Sequence, residues 1–405
     1  MAETARWAPS SVRPVGRTVL PGTAMIAVSF GLARYGYGLL LPDMQADLSI
    51  SPGAAGLIAS GTYVSYLVAN VGVVWLTRRG GPRAAIALAT LLAAGGMMVI
   101  AVAGSAAGMA AGVVTAGAAA GLVFPPYADL VASDIDSRRR DLAWSTISSG
   151  TGWGVAIAGP IAIIAGGDWR VAWMVFVALA ASAGIVAVRL APGRRASQRL
   201  RRPQLSPSWF LCPKSRPLLI SALLIGTGSA VWWAFSVDAL RHAGLGATTA
   251  SVVYAVCGAA GILASVSGVA FTRLGLRPGY LAACILLAAS LVLLSITGGH
   301  VLTALLAAVL FGVFYNSVVA AQGIWSSRVF ADHPSAGLAA VSTALTIGTL
   351  LGPSIAGTAI SRFGFPMTLL AAAAVILAAL VFCPPGAHRR QRLAAHRCRA
   401  TPVRT

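Results

Sequence analysis

An arginine in the middle of an apolar stretch is the first residue of this sequence that demands a chemical account. Arg34 lies about fifteen residues into a run that starts near Val19 and continues to Leu41. Its guanidinium stays charged and presents a planar fork that matches a carboxylate, sulfonate or phosphate. Three roles are open to it. It can hold an anionic substrate, pair with backbone carbonyls or a polar neighbour, or extend to the membrane surface. Other polar and aromatic residues fall in similar stretches. Tyr63, Tyr66 and Asn70 are spaced i, i+3, i+7, which is one face of a helix. Trp232 and Trp233 stand at a depth like that of Arg34, and Tyr315 and Asn316 lie mid-stretch. These residue types suit a substrate-lined cavity, and they suit interhelical packing and hydrogen bonding equally well.

The elements that carry these residues are apolar segments long enough to cross a bilayer. Twelve are expected, near 19–41, 53–76, 84–104, 106–130, 145–165, 170–190, 217–240, 248–271, 279–297, 301–325, 337–360 and 366–383. The short links at Gly104 and Gly167 are where two spans would most easily run together. Composition demands the same environment. The 405 residues are 57% hydrophobic and 10% charged, far below the roughly 25% of soluble domains. Disorder is excluded by the same figures, because disordered chains are polar and charged.

The Lys and Arg residues orient the spans. With the N-terminus in the cytosol, 26 of the 30 fall in inside segments, and Arg170, Arg241 and Arg362 fall outside. Arg34 alone is within a span. A single missed span would invert the pattern partway along, so the alternation supports a multi-pass protein of the cytoplasmic membrane with both termini cytosolic. The expected organisation is a tail (1–18), a six-helix bundle (19–190), a basic central loop (191–216), a second six-helix bundle (217–383) and a basic tail (384–405). The central loop and the last tail, which supply much of the +20 net charge, read as topology anchors against anionic headgroups rather than a nucleic-acid surface.

Other chemistries lack their residues. The one lysine, Lys214, follows Pro213 and has no phosphate-cradling glycine loop around it. All five histidines fall in loops or tails without His-x-x-x-His spacing, there is no Gly-x-Ser-x-Gly, and the five cysteines form no metal or disulfide pattern. No enzyme, metal or cofactor is expected. Asp129 and Asp238 lie near opposite helix ends and no acid is central, so coupling to a proton would use these peripheral groups. A uniporter or an anion exchanger would need none. Asp129 is expected to pair with the cluster Arg138–Arg140.

Two short motifs recur. Thr77-Arg78-Arg79-Gly80 returns as Thr272-Arg273-Leu274-Gly275, and Gly159-Pro160 returns as Gly352-Pro353, at offsets of 195 and 193. The chain reads as a duplicated six-helix unit, an architecture that places a site between its halves. Six plus six helices, a basic central loop and these motifs resemble the major facilitator superfamily over essentially the whole chain. Its loop motif, Gly-x-x-x-Asp-Arg-x-Gly-x-Arg, is matched by Gly268 through Thr272, Arg273, Gly275 and Arg277 with threonine in place of the acid. The first copy, read as Thr77, Arg78, Gly80 and Arg83, lacks the acid too. The resemblance implies that the charge latch formed by that acid is missing. Gly348, Gly352 and Pro353 resemble the superfamily's exchanger motif, and Gly150, Gly154, Gly159 and Pro160 do so loosely. Gly31, Arg34, Tyr35, Tyr37 and Leu41-Pro42, with Gly150, Trp153 and Gly154, look like the YbfB-type branch. That resemblance implies the fold and a transport role but no substrate. The expected reading is a monomeric secondary transporter of a small molecule, with a proton or counter-anion as a further partner and Tyr37 in the candidate site. A transport-dead sensor on the same fold is the alternative.

The topology is checked with single cysteines. One at Ser51 is expected to react with an impermeant maleimide outside intact cells, while one at Ala196 does not. Outside labelling at Ala196 would invert the orientation.

Overall fold

A computed structural model describes residues 16–192, 214–263, 274–331 and 334–385. Among them there are helices and no strands. They comprise α1 (Gly16–Leu48), α2 (Pro52–Ala101), α3 (Ala106–Asp134), α4 (Arg140–Ile164) and α5 (Trp169–Leu190) in the first half. The second half holds α6 (Arg216–His242), α7 (Ala247–Leu263), α8 (Leu276–Ser295), α9 (Val301–Val329) and α10 (Pro334–Ala378). Nine of the described helices are long and apolar enough to cross a membrane, and α7 is shorter.

The chain starts its helices with capping residues. Ser51 accepts from the Ala54 amide ahead of Pro52, Ser105 accepts from the Gly108 amide, and Asp168 accepts from the Arg170 and Val171 amides. The links at Gly104 and Gly167 are therefore genuine breaks. Continuity occurs elsewhere. α2 runs through the expected loop at Arg78–Arg83, and α10 runs through the expected loop near Arg362. Each bends at one glycine with positive φ, Gly81 (φ 74°, ψ 179°) and Gly364 (φ 76°, ψ 175°). Pro82 and Pro366 follow closely and are preset for a first helical turn. A single residue thus turns the chain, and helical hydrogen bonding resumes at once.

This bend moves the first loop motif by one residue. Gly275 also has positive φ, 85°, so its counterpart is Gly81 rather than Gly80. Arg83 then follows Gly81 by two positions, as Arg277 follows Gly275. The slot of the acid in the resembled motif falls on Arg78, not Thr77. Thr77 is buried, and its hydroxyl donates to the Val73 carbonyl at 2.8 Å within its own helix. Arg79 lies over the Trp75 ring at 4.1 Å. Gly268, Thr272 and Arg273 lie outside the described residues, as do most of the central loop and nearly all of both tails.

Close crossings without side chains hold each half together. In the first, α1 crosses α4 where a Cβ on Gly31 would strike Gly154, and one on Gly154 would strike the Ala27 carbonyl. In the second, α6 crosses α10 where Gly226 faces the Leu345 carbonyl and Gly348 faces the Leu223 carbonyl. The same crossing is made twice. Gly352 continues it against Thr227, whereas Gly159 is turned toward Ser251 of α7.

The halves meet at the end where α1 finishes. Gly38 abuts the Trp233 carbonyl, Gly56 the Pro353 carbonyl and Gly357 the Pro52 carbonyl. Midway, α4 crosses α7 through Gly152 and Gly258. At the opposite end, among the described residues, α3 and α9 pack extensively only against helices of their own half. The molecule is closed at one end.

Gly81→Ala is expected to cost about 1–3 kcal/mol, because its φ/ψ pair is one that side chains strain to adopt. Gly72→Ala has open space around the new methyl group and gains about 1 kcal/mol of helix propensity. Melting temperatures in one detergent should therefore move in opposite directions.

Candidate functional site

The middle of α1 is not an α-helix. Residues Ala27–Tyr35 form a π-helical segment, a wider coil that is uncommon and concentrates at functional sites. Its closing residue, Tyr35, has a carbonyl that accepts a hydrogen bond from the Tyr254 hydroxyl of α7 at 2.7 Å. The second half thus supports the segment directly.

Arg34 sits near the end of this segment inside a cage of rings. Its guanidinium carbon is 4.1 Å from the centre of Tyr63, 4.8 Å from Tyr66, 5.6 Å from Phe30 and 5.7 Å from Tyr35. An arginine placed bare in hydrocarbon costs at least about 3 kcal/mol. A desolvated cation over a ring recovers about 2 kcal/mol, so the two nearest faces are of the size required. No carboxylate is needed. The buried Nε of Arg34 has no hydrogen-bond partner among the described residues. Gly121 of α3 lets the cage-bearing helix approach, since a Cβ there would strike the Tyr66 carbonyl.

Arg34, Tyr35, Tyr37, Ala59, Thr62 and Tyr63 line one side of a small cavity, and Trp233 and Ala234 of α6 line the other. Trp233 stacks on Tyr35 with centroids 4.1 Å apart and meets Tyr315 edge-on at 5.7 Å. Tyr315 stacks in turn on Phe311 at 5.6 Å. A wall of rings therefore runs across the boundary between the halves. Trp232 points the other way, 0% exposed and stacked on Phe311 at 4.4 Å. Tyr37 lines the cavity while its hydroxyl donates to the Ala55 carbonyl at 3.0 Å. Asn70 stands one helical turn beyond Tyr66, beside Gly121. Asn316 donates to the Gly312 carbonyl of its own helix at 2.9 Å and packs over Gly261. Gly154, Gly159, Gly348 and Gly352 serve close helix contact and lie outside the cavity lining. Pro160 and Pro353 are accommodated within helices α4 and α10.

Several participants have no obvious mark in the sequence. Phe30 precedes Arg34 by one helical turn, a spacing that could have suggested it. Tyr254 has no such signal. Asp43 and Arg241 form an ion pair between α1 and α6 at 2.5 Å, on the closed side of the cavity. Arg170 pairs with Asp47 at 2.5 Å, donates to the Ala103 carbonyl and lies over Trp169. These partners carry α1 past the expected end at Leu41, through Pro42, to Leu48.

A helical protein with several membrane-crossing helices, a charged ring-lined cavity and one closed end has the form of a membrane carrier. The model of the family described as "Uncharacterised MFS-type transporter YbfB" matches residues 26–383. The chain belongs to that family of major facilitator transporters. It is 30% identical over 210 residues to the uncharacterized transporter YgaY of Escherichia coli O157:H7, a match covering 50% of this chain and 52% of that protein. The match thus spans about half the length of the curated relatives. Among solved structures, a bacterial homologue of the human lysosomal transporter Spinster, inward-facing and unoccupied, has a TM-score of 0.74 at 14% identity over 91% of this chain and 96% of its own. The nucleoside transporter NupG gives 0.73 at 14% identity over 90% and 98%. A D-xylose-proton symporter gives 0.70 at 12% identity over 91% and 97%. These likenesses establish the fold.

Breaking the pair between the halves should loosen the closed end. Asp43→Asn is expected to shift the balance toward opening there by about 1 kcal/mol, the scale of a partly solvated pair. The swap Asp43→Arg with Arg241→Asp should restore closure. Rates of cysteine modification at Ala234 read this change, and equal rates in all three variants would remove the pair from the gate.

Proposed function

We propose that this chain is a secondary carrier moving a small, planar organic anion, or an amphipathic molecule with an anionic end, across the cytoplasmic membrane by alternating access. One observation carries the reading. A permanent cation lies in a cavity between the halves with ring faces around it, and the Nε on one edge of its guanidinium has no hydrogen-bond partner among the described residues. A carboxylate can take two parallel N–H bonds from that edge. Tyr35, Trp233 and Tyr315 supply flat surfaces for the body of the molecule. Tyr37, Tyr63, Tyr66 and Asn70 complete the first-half wall in this reading, and Trp232 and Asn316 support the second.

Twelve spans follow when the two arms of α2 and of α10 are counted separately and α7 is included. The Lys/Arg distribution then puts the closed end outside, so the cavity faces the cytosol in this conformation. Transport proceeds when the contacts at Gly38, Gly56 and Gly357 separate while α3 and α9 approach across the other end. Two arginines at the family's acid slot and beside it, Arg78 and Arg79, leave the inner loop without the carboxylate of the usual latch. A monomer suffices, since the cavity is lined by one chain. Asp43 in the pair itself and Asp238, one helical turn from Arg241, are acids at the gate that could carry a proton. A counter-anion at Arg34 would require no such group.

The test pairs small aromatic carboxylates with their neutral amides in thermal-shift and proteoliposome uptake assays. Binding of an acid but not its amide is expected. Arg34→Lys should weaken that binding by about 5- to 150-fold, the equivalent of 1–3 kcal/mol for a charge-assisted bidentate contact. Arg34→Ala should abolish uptake with a melting temperature near that of the parent. An early-melting Arg34→Ala protein, with acids and amides bound alike, would make the residue purely structural.

A further inference from the structure

A second cavity, of about 570 Å³, opens on the outer surface of the helices where α2 begins beside α10. Gly53 and Leu57 form one wall; Ile355, Thr358, Arg362 and Phe363 form the other. Leu57 is 66% exposed, Ile355 59% and Phe363 67%, as expected of side chains facing hydrocarbon. Arg362 is also exposed, and among the described residues it has no ion pair or hydrogen bond. The other two arginines at this end of the molecule, Arg170 and Arg241, have taken Asp47 and Asp43, and Asp168 is engaged as a helix cap.

We infer that this groove binds a membrane phospholipid, with the phosphodiester at Arg362 and an acyl chain along Leu57 and Ile355. The geometry matches that molecule in order and length. Arg362 is at the end of a helical arm, two residues before the bend at Gly364, where headgroups lie. Ile355 is seven residues further into the membrane, about 10 Å along the helix. A cation at the rim with an apolar channel beneath it fits an anionic headgroup joined to a chain. The two walls belong to different halves, which meet beside the groove where Gly56 approaches Pro353 and Gly357 approaches Pro52. The groove therefore exists as a unit only while this end is closed, and a lipid seated in it favours that conformation. This site is separate from the Arg34 cavity and does not depend on the identity of the transported molecule.

Photoreactive phosphatidylglycerol, with a diazirine on one acyl chain, tests the site in nanodiscs holding the full chain. A photoreactive diacylglycerol with the same tails serves as the control lacking phosphate. Adducts from phosphatidylglycerol should concentrate on the peptides containing Leu57 and Phe363, at least 5-fold above other lipid-facing peptides, and diacylglycerol should show no such preference. Arg362→Ala should remove the enrichment. Ile355→Trp, which fills the channel and keeps the arginine, should remove it too. Both positions are exposed to lipid, and gel filtration with a melting curve verifies that each variant is folded. Equal enrichment with diacylglycerol, or enrichment unchanged in both variants, would overturn the assignment. Competition by millimolar glycerol phosphate alone would overturn it in favour of a soluble phosphate site.

Discussion

A charge that cannot be neutralised, held where water is scarce, sets the terms for the structure around it. Among the described residues Arg34 has no acid near it, and the surrounding helices answer with ring faces. That answer has requirements of its own. Rings must converge from two helices, so α1 and α2 have to meet at the π-helical segment. The π-helical segment widens the coil where Phe30, Arg34 and Tyr35 share a side. The glycines at 31 and 154 then let α4 close over the back of α1. Bulkier residues at those positions would push the helices apart and open the cage to lipid.

Contact between backbones appears throughout as the means of joining helices. In a bilayer there is little hydrophobic gain in exchanging lipid for side chain, so close approach and dispersion do more of the work. Carbonyls of Trp233, Pro353 and Pro52 rest on glycine in the seam between the halves. At these three contacts the seam is stiff when shut and parts without disentangling long side chains. The Asp43–Arg241 pair adds direction to this contact, while the carbonyl–glycine contacts supply the area.

Much of this was readable from residue order, for physical reasons that also mark the limits. The apolar runs located the helices, since burial in lipid leaves a signal twenty residues wide. Arg34, Tyr63 and Tyr66 were readable as one site because a lone charge and a helical spacing are visible without a structure. Trp232 and Trp233 were not separable. Neighbouring residues on a helix point about 100° apart, and only the rotation of α6 decides which faces the cavity. The loop at Gly81 was misread by one residue, because Gly80 and Gly81 look alike in a sequence and differ only in φ. Asp43 was hidden by Pro42, which suggested the end of a span, and its partner lies 198 positions away. Tyr254 contributes through a single hydroxyl, and such a feature carries no pattern, whereas Phe30 has its spacing of one turn from Arg34.

The two crossings have a consequence for how long each half can be. Gly31 and Gly226 are 195 residues apart, Gly81 and Gly275 are 194 apart, Gly154 and Gly348 are again 194 apart, and Gly159 and Gly352 are 193 apart. From the first of these landmarks to the last, the halves drift by two residues, although the side chains between them have diverged almost completely. Insertions and deletions have therefore been excluded far more strictly than substitutions. Bilayer thickness supplies the gauge: a span lengthened by one residue rotates everything beyond it by 100° and takes a glycine out of its crossing. Change in the two halves has accordingly been confined to the lettering of a text whose line lengths are set by the membrane.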